Sequence, residues 1–487
     1  MQSSEPRTAG RRSASVSAGP ASRHLAAIAR KEHVSPAELK RDVAAGKVVV
    51  LRARGHAIEP MAVGKGLTVK VNANIGTSPD ASDLKQELAK LAAAVTAGAD
   101  TVMDLSVGGD VDAVRRAVIA ESPIPVGTVP LYQAALDARR KGKSFITTTA
   151  REVLAGVEKH MRDGVDFVTV HCGINNGNLA KLNAAGRVCG VVSRGGSMTI
   201  EWMRRNRKEN PLYEHYDDLL AMAKHYDCAL SLGDGLRPGA LADATDEPQV
   251  AELVTIGELV QRARLAGVQA MVEGPGHVPL DQIEANVRLE KTLCDEAPFY
   301  LLGPLVTDVG CGYDHITGAI GGALAAWLGA DFLCYVTPTE HLGLPGIDDV
   351  RQGVIASRIA AHAADVARHH PGAIDWDLRI SRCRAALDWD GMIAGCVDPS
   401  RAREVFAAGR SRTEGACTMC GEFCAIKRMN QSPDSGHDAT GRGTRSELPG
   451  RNSVMSPVGH VPSNQGNSTA ASKRRPASKS RGARKGA

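Results

Sequence analysis

The stretch Cys228-Ala-Leu-Ser-Leu-Gly-Asp-Gly-Leu-Arg237 decides how this chain is read. A short β-prone apolar run stops at a glycine, and a carboxylate and a guanidinium follow at once. The same design recurs on both sides of it. Towards the N-terminus lie Leu67–Val71 (ending at Asn72-Ala-Asn74-Ile-Gly76), Ala99–Leu105, Pro125–Val129, Val165–Val170 ahead of His171, and Val188–Val192 ahead of Ser193-Arg194-Gly195-Gly196. Towards the C-terminus lie Gln269–Val272 (ending at Glu273-Gly-Pro-Gly-His277), Phe299–Leu305, and Asp331–Val336 ahead of Thr337-Pro-Thr-Glu-His341. Helical patterns separate these runs. Leu84, Leu88, Leu91 and Val95 form one stripe, and further helices are expected at Ala113–Ala120, near 214–226 and over Val250–Leu265. Thr149-Ala-Arg-Glu152 reads as a capping box.

Short strands alternating with helices point to βα units and a parallel sheet. About eight or nine such strands predict an α/β fold, a (βα)8 barrel, with a doubly wound open sheet as the alternative. The strand ends favour the barrel. Asn74, Asp104, His171, Ser193, Asp234, Glu273 and His341 each stand where a run stops, and only a barrel brings all such points to one mouth.

The 487 residues are 43% hydrophobic but only 3% aromatic, so Ala, Val, Leu and Ile must fill the core. No apolar run is long enough to cross a membrane, and no signal peptide opens the chain. Eleven cysteines, three of them clustered, argue against a secreted disulfide framework and for a reducing cytoplasm. The net charge of +5 belongs to the ends. Residues 431–487 hold ten Lys/Arg against three Asp/Glu and residues 1–23 hold four against one, which leaves −5 for the middle. Both ends lack periodic hydrophobics and are expected to be disordered. Without aromatics to stack on bases, the basic tail reads as solvated rather than nucleic-acid-binding. The expected organisation is a tail (1–23), a lead-in (24–66) with a helix from Ser35 to Ala45 and a strand at Lys47–Leu51, a barrel (67–346), a helical segment with a cysteine motif (347–430), and a basic tail (431–487).

Several groups carry chemistry. Cys417-Thr-Met-Cys420-Gly-Glu-Phe-Cys424 packs three thiols into one turn. They suit either an iron–sulfur cluster with one open iron or a zinc site completed by Cys396 or His437. Ser193-Arg194-Gly195-Gly196-Ser197 is a candidate phosphate cradle. Asp234 and Arg237 are a carboxylate and a guanidinium at one strand end, or a plain ion pair. Glu273, His277 and His341 are a possible Zn²⁺ or Fe²⁺ set, or simply hydrogen-bonding groups. Tyr313-Asp314-His315 is a polar knot suited to proton transfer. Cys189, Cys228, Cys294 and Cys334 lie in or beside apolar runs and are expected in the core.

These segments resemble a known family. Lys70-Val-Asn-Ala-Asn-Ile-Gly76, Asp100-Thr-Val-Met-Asp-Leu-Ser106, Gly127-Thr-Val-Pro-Leu-Tyr-Gln133, Val192-Ser-Arg-Gly-Gly-Ser197, Ser231-Leu-Gly-Asp-Gly-Leu-Arg-Pro-Gly239, Glu273-Gly-Pro-Gly-His-Val-Pro279, Gly312-Tyr-Asp-His-Ile-Thr317 and Cys334-Tyr-Val-Thr-Pro-Thr-Glu-His-Leu-Gly-Leu-Pro345 are similar to the phosphomethylpyrimidine synthases, from about residue 35 to 429.

The resemblance implies a radical S-adenosylmethionine enzyme with a (βα)8 barrel, working as a cytoplasmic homodimer with a reductant such as flavodoxin or ferredoxin. Its substrate would be 5-aminoimidazole ribotide, and its product 4-amino-5-hydroxymethyl-2-methylpyrimidine phosphate for thiamine. Carried over by motif, Asn74, Met103, Tyr132, His171, Ser193, Arg194, Gly195, Asp234, Gly235, Leu236, Arg237, Glu273 and Tyr300 would meet the ribotide. Glu273, Tyr313, Asp314 and His315 would be catalytic, His277 and His341 would hold Zn²⁺ or Fe²⁺, and Cys417, Cys420 and Cys424 would hold a [4Fe–4S] cluster. Three features depart from the long bacterial members. The cysteine spacing is C-x2-C-x3-C rather than C-x2-C-x4-C, their large N-terminal domain has no counterpart, and Gly310-Cys311 replaces Ala-Pro. Cys311 is either passive or a further metal ligand. A short branch shares the first two features and includes 5-hydroxybenzimidazole synthases that act on the same ribotide, which is the alternative reading.

Overall fold

The computed structural model describes residues 21–409 and 415–431. The expected tails, 1–23 and 431–487, lie almost wholly outside these residues. Two strands, β1 (Val48–Leu51) and β2 (Met61–Gly64), pair antiparallel as a small hairpin. Eight more form a closed, all-parallel barrel: β3 (Lys70–Ile75), β4 (Thr101–Asp104), β5 (Val126–Thr128), β6 (Phe167–Val170), β7 (Ala229–Leu232), β8 (Ala270–Gly274), β9 (Phe299–Leu302) and β10 (Phe332–Cys334). β10 returns to β3 in the register Phe332↔Lys70, so the sheet has no edge. The expected α/β barrel is the fold. Strands buried on both faces read as continuous apolar runs, which is why they were visible in the sequence.

The barrel's inside is filled by Met103, Phe167, Ala229, Met271, Tyr300, Phe332 and Cys334, in one cluster with Val49, Leu51, Met61 and Val63 of the hairpin. The hairpin therefore plugs the mouth at the strands' N-terminal ends. Side chains just before the strands fasten it. Gln269 bonds the Val50 N–H and carbonyl at 2.7 and 3.0 Å, and Asp166 accepts from the Ala53 N–H at 2.8 Å. With that end closed, only the C-terminal mouth remains for a ligand.

Outside, helices such as Leu84–Thr96, Ala150–Asp163 and Glu247–Ala266 pack over the strands. Thr149 and Glu152 form the expected capping box. The segment after the barrel is helical over Ile347–Ala367, Pro371–Ala386, Trp389–Ala394 and Pro399–Ala408. Helix Ala425–Asn430 belongs to a separate unit beginning at Ala425.

One expected strand is absent. Residues 186–193 are irregular, with Gly186 and Gly190 at φ 64° and 61° and Val188 75% exposed. The valines resemble a strand in composition, but two glycines in the left-handed region break an extended run, and nothing buries Val188. Cys189 is accordingly exposed, whereas Cys228, Cys294 and Cys334 are buried as expected. Among the described residues no helix is long and apolar enough to cross a membrane.

Candidate active site at the barrel mouth

Parallel strands that close on themselves carry their last residues to one rim. Neighbour register sets Asn74 beside Met103, Asp104 beside Thr128 and Glu273 beside Tyr300. A cavity there is lined by Asn74, Met103, Tyr132, Thr169, His171, Ser193, Asp234, Arg237, Glu273, Tyr300 and Cys334, with apolar walls from Leu105, Val129, Leu301 and Leu302. A larger open groove lies elsewhere, between helices Asn176–Ala185 and Arg194–Asn206, and holds none of these strand-end groups.

The Ser193 turn starts a helix rather than ending a strand. Ser193 is the N-cap of helix Arg194–Asn206, and its Oγ accepts from the Gly196 N–H at 3.1 Å. Its Oγ also lies 3.1 Å from His171 Nε2, which ties the helix start to β6. Gly195 makes this approach possible, because a Cβ there would lie 2.2 Å from His171 Cε1. Arg194 places its guanidinium 5.0 Å over the Tyr132 ring. First-turn N–H groups, a guanidinium and a dipole end together make an anion-binding corner.

The deeper cavity carries buried titratable groups. Burial lowers His171 to about 3, with Arg237 adding to the effect, so its ring is neutral at physiological pH. Its Nδ1 has no protein partner. Burial raises Asp234 to about 8 against the opposing pull of Arg237, whose Nη1 lies 3.2 Å from Oδ1. Asp234 Oδ2 also lacks a partner. Glu273 is raised by burial and restrained by the Thr169 and Ser231 hydroxyls, each donating to Oε1 at 2.7 Å. Tyr300 stacks on Phe332 at 4.2 Å between centroids and points its hydroxyl to Met103 Sδ at 3.5 Å. Asn74 donates to Cys334 Sγ at 3.1 Å. Neutral or proton-holding groups with unused polar atoms suit a polar, uncharged part of a ligand. Gly235 and Leu236 act through their backbone: their N–H groups donate at 3.0 and 2.7 Å to Glu252, a buried carboxyl raised to about 8. Sequence reasoning missed Glu252 because its position looks like any polar residue of a helix.

At the rim, His277 Nε2 lies 3.2 Å from His341 Nε2. His277 Nδ1 lies 2.8 Å from Asp308 Oδ1 and donates to it. That bond fixes the tautomer and turns a lone pair towards His341, the arrangement of a carboxylate–histidine metal ligand. Asp308 had no motif around it and was also missed. Of the polar knot, Asp314 is buried beside His341, whereas Tyr313 is 66% exposed. His315 is lowered by burial, and its Nδ1 lacks a partner. Neither Tyr313 nor His315 lines the cavity.

The cysteine turn is compact. The Gly421 N–H donates to Cys417 O at 3.0 Å, Gly421–Phe423 is a 3₁₀ turn, and all three thiols are free. Cys417 is half-buried, Cys420 exposed and Cys424 buried. Among the described residues they do not converge to within 4.8 Å with a further ligand, as a single ion would require. Cys396, one proposed zinc partner, bonds Met392 O in its own helix at 3.2 Å, and His437 lies outside the described residues. Three free thiols that need not share one ion fit a cluster that gives each its own iron.

A closed parallel barrel with such a mouth, followed by a three-cysteine turn, defines a barrel enzyme that uses a metal cluster. Residues 12–431 match the model of the Radical SAM ThiC family. A phosphomethylpyrimidine synthase from Geobacter metallireducens is 57% identical over 403 residues, covering 82% of this chain and 92% of its own. One from Moorella thermoacetica is 55% identical over 414 residues, covering 85% and 96%. A dihydropteroate synthase from Coxiella burnetii covers 65% of this chain and 99% of its own, at 13% identity and a TM-score of 0.38, too slight a likeness to carry an argument. The chain belongs to the radical SAM ThiC family, and membership implies a [4Fe–4S] cluster and S-adenosylmethionine.

Proposed function

We propose that this enzyme converts 5-aminoimidazole ribotide to 4-amino-5-hydroxymethyl-2-methylpyrimidine phosphate, the thiamine pyrimidine. The observation that carries the reading is the gathering of Asn74, Met103, Tyr132, His171, Ser193, Asp234, Arg237, Glu273 and Tyr300 around one cavity. The similar chains from Geobacter metallireducens and Moorella thermoacetica are phosphomethylpyrimidine synthases, which favours this product over 5-hydroxybenzimidazole. The ribotide phosphate sits at the N-terminus of helix Arg194–Asn206, held by first-turn N–H groups and Arg194. The aminoimidazole and ribose lie against His171, Asp234 and Glu273. Neutral His171 offers Nδ1. Asp234, mostly protonated at pH 7, holds a proton at its carboxyl while Oδ2 faces the substrate. Leu105, Val129 and Tyr300 exclude water around the reacting carbons. A cluster held by Cys417, Cys420 and Cys424, together with S-adenosylmethionine, supplies the one-electron, hydrogen-abstracting chemistry. His277 and His341 hold a divalent metal, Zn²⁺ or Fe²⁺, through their facing Nε2 atoms. A flavodoxin- or ferredoxin-type reductant and a homodimer belong to the same reading.

Calorimetric titration of ribotide into cluster-loaded protein tests the phosphate placement. Arg194→Met removes charge-assisted bonds and should weaken ribotide binding about 10- to 100-fold, while the riboside lacking phosphate should bind variant and wild type alike. An equal loss for both ligands would remove the phosphate from this corner.

A further inference from the structure

Cys311 stands in a four-residue turn that precedes helix Asp314–Leu328. The Tyr313 N–H closes the turn on Gly310 O at 2.7 Å, and Gly312 takes φ 87°, the pattern of a type II turn with Cys311 at its second position. Proline serves that position best, so the turn itself has no need of a thiol. The thiol nevertheless meets a buried acid and an imidazole. One ligating atom from each of Cys311, Asp314 and His341 lies within 4.8 Å of the others, the one such set among the described residues.

Asp314 makes this more than a chance grouping. Its side chain is 2% exposed, yet Oδ2 has no hydrogen-bond donor. His341 Nδ1 is 3.2 Å from that oxygen but does not meet it as a hydrogen bond. A buried carboxylate oxygen without a donor is costly, and a cation would offset that cost. Zinc–sulfur and zinc–oxygen or –nitrogen bonds of about 2.3 and 2.0–2.2 Å bring two ligands to under about 4.5 Å of each other.

We propose that Cys311, Asp314 and His341 form a divalent-cation site of thiolate, carboxylate and imidazole donors. Mixed sulfur, nitrogen and oxygen ligation suits Zn²⁺ or Fe²⁺ and disfavours Mg²⁺ or Ca²⁺. His341 turns Nε2 towards His277 and Nδ1 towards Asp314, so the proposed cation meets Nδ1 and is distinct from one held between the two Nε2 atoms. The proposal thus adds a sulfur-bearing site to the two-histidine metal reading and shares His341 with it, while Cys311 is its own.

Zinc K-edge absorption spectroscopy tests it on full-length protein whose iron–sulfur cluster is loaded, so that Cys417, Cys420 and Cys424 are occupied by iron. Zinc added to this protein should show sulfur scattering near about 2.3 Å. Cys311→Ala should lose that sulfur shell, and His277→Ala should keep it. Circular dichroism of the Cys311→Ser variant guards against misfolding, and this variant should also lack the sulfur shell. Sulfur scattering that persists in Cys311→Ala, or that vanishes in His277→Ala, would overturn the proposal. A wild-type shell of nitrogen and oxygen alone would overturn it and leave the two-histidine site standing; no bound zinc in any form would end both.

Discussion

Gly195 and His171 show how little room the site leaves. A Cβ at residue 195 would lie 2.2 Å from the His171 ring, and both residues are buried. Gly195→Ala should therefore push the helix start outward, cost about 1–3 kcal/mol by overpacking, and weaken ribotide binding. Thermal melting and titration together check this; an unshifted melt with intact binding would contradict the geometry. The rim histidines give a second expectation. His277→Ala should lower bound divalent metal while sparing the iron–sulfur cluster, measured as zinc and iron content with the visible spectrum, and loss of the cluster would mean that the two sites are not separate. His171, Asp234 and Glu273 were legible in the sequence because each marks the end of an apolar run. Asp308 and Glu252 were not. Each acts through contacts distant in sequence, Asp308 across 31 residues to His277 and Glu252 across about one helix to the Gly235 and Leu236 N–H groups, and neither the residue type nor its neighbours announce those contacts.

At the scale of elements, the turn Gly233–Arg237 is held from outside by Glu252 on helix Glu247–Ala266. Burial raises Glu252 to about 8, above its ordinary range, against the two N–H donors that favour its charge. The native state therefore keeps a proton that the unfolded chain has already lost, and the stability this gives is present in acid and lost as pH rises through the folded value. Melting temperature should fall from about pH 4.5 to about pH 8, and Glu252→Gln should make the fall shallower while costing about 1 kcal/mol at the acid end. Asp234 and Glu290, also near 8, keep the fall from vanishing. A slope unchanged by the variant would contradict the assignment. The hairpin β1–β2 is the other element with a structural task. Leu51, fully buried against the barrel floor, should cost about 2–5 kcal/mol when cut to Ala. Chemical unfolding measures this, and a loss within error would mean that the hairpin does not plug the barrel. Its first strand was readable from Lys47–Leu51, but its plugging role was not, because nothing local distinguishes a hairpin that caps a barrel from one on the surface. The reverse error came at Val188–Val192, where composition suggests a strand and two left-handed glycines prevent one.

For the whole molecule, a mouth built by eight strands is followed along the chain by a helical segment and then by the cysteine turn. The barrel was legible because closure requires only the repeated unit, and each unit carried its own signal. The relation of the cysteine turn to the mouth was not legible, since it depends on the packing of helices whose sequence fixes length but not direction. Cys420→Ser should abolish both the cluster and turnover while circular dichroism stays that of the folded barrel. The most direct measurement is anaerobic turnover of reconstituted protein with 5-aminoimidazole ribotide, S-adenosylmethionine and dithionite, products read by mass spectrometry. The account predicts 4-amino-5-hydroxymethyl-2-methylpyrimidine phosphate together with 5′-deoxyadenosine. Hydroxybenzimidazole, or 5′-deoxyadenosine with the ribotide left intact, would contradict it.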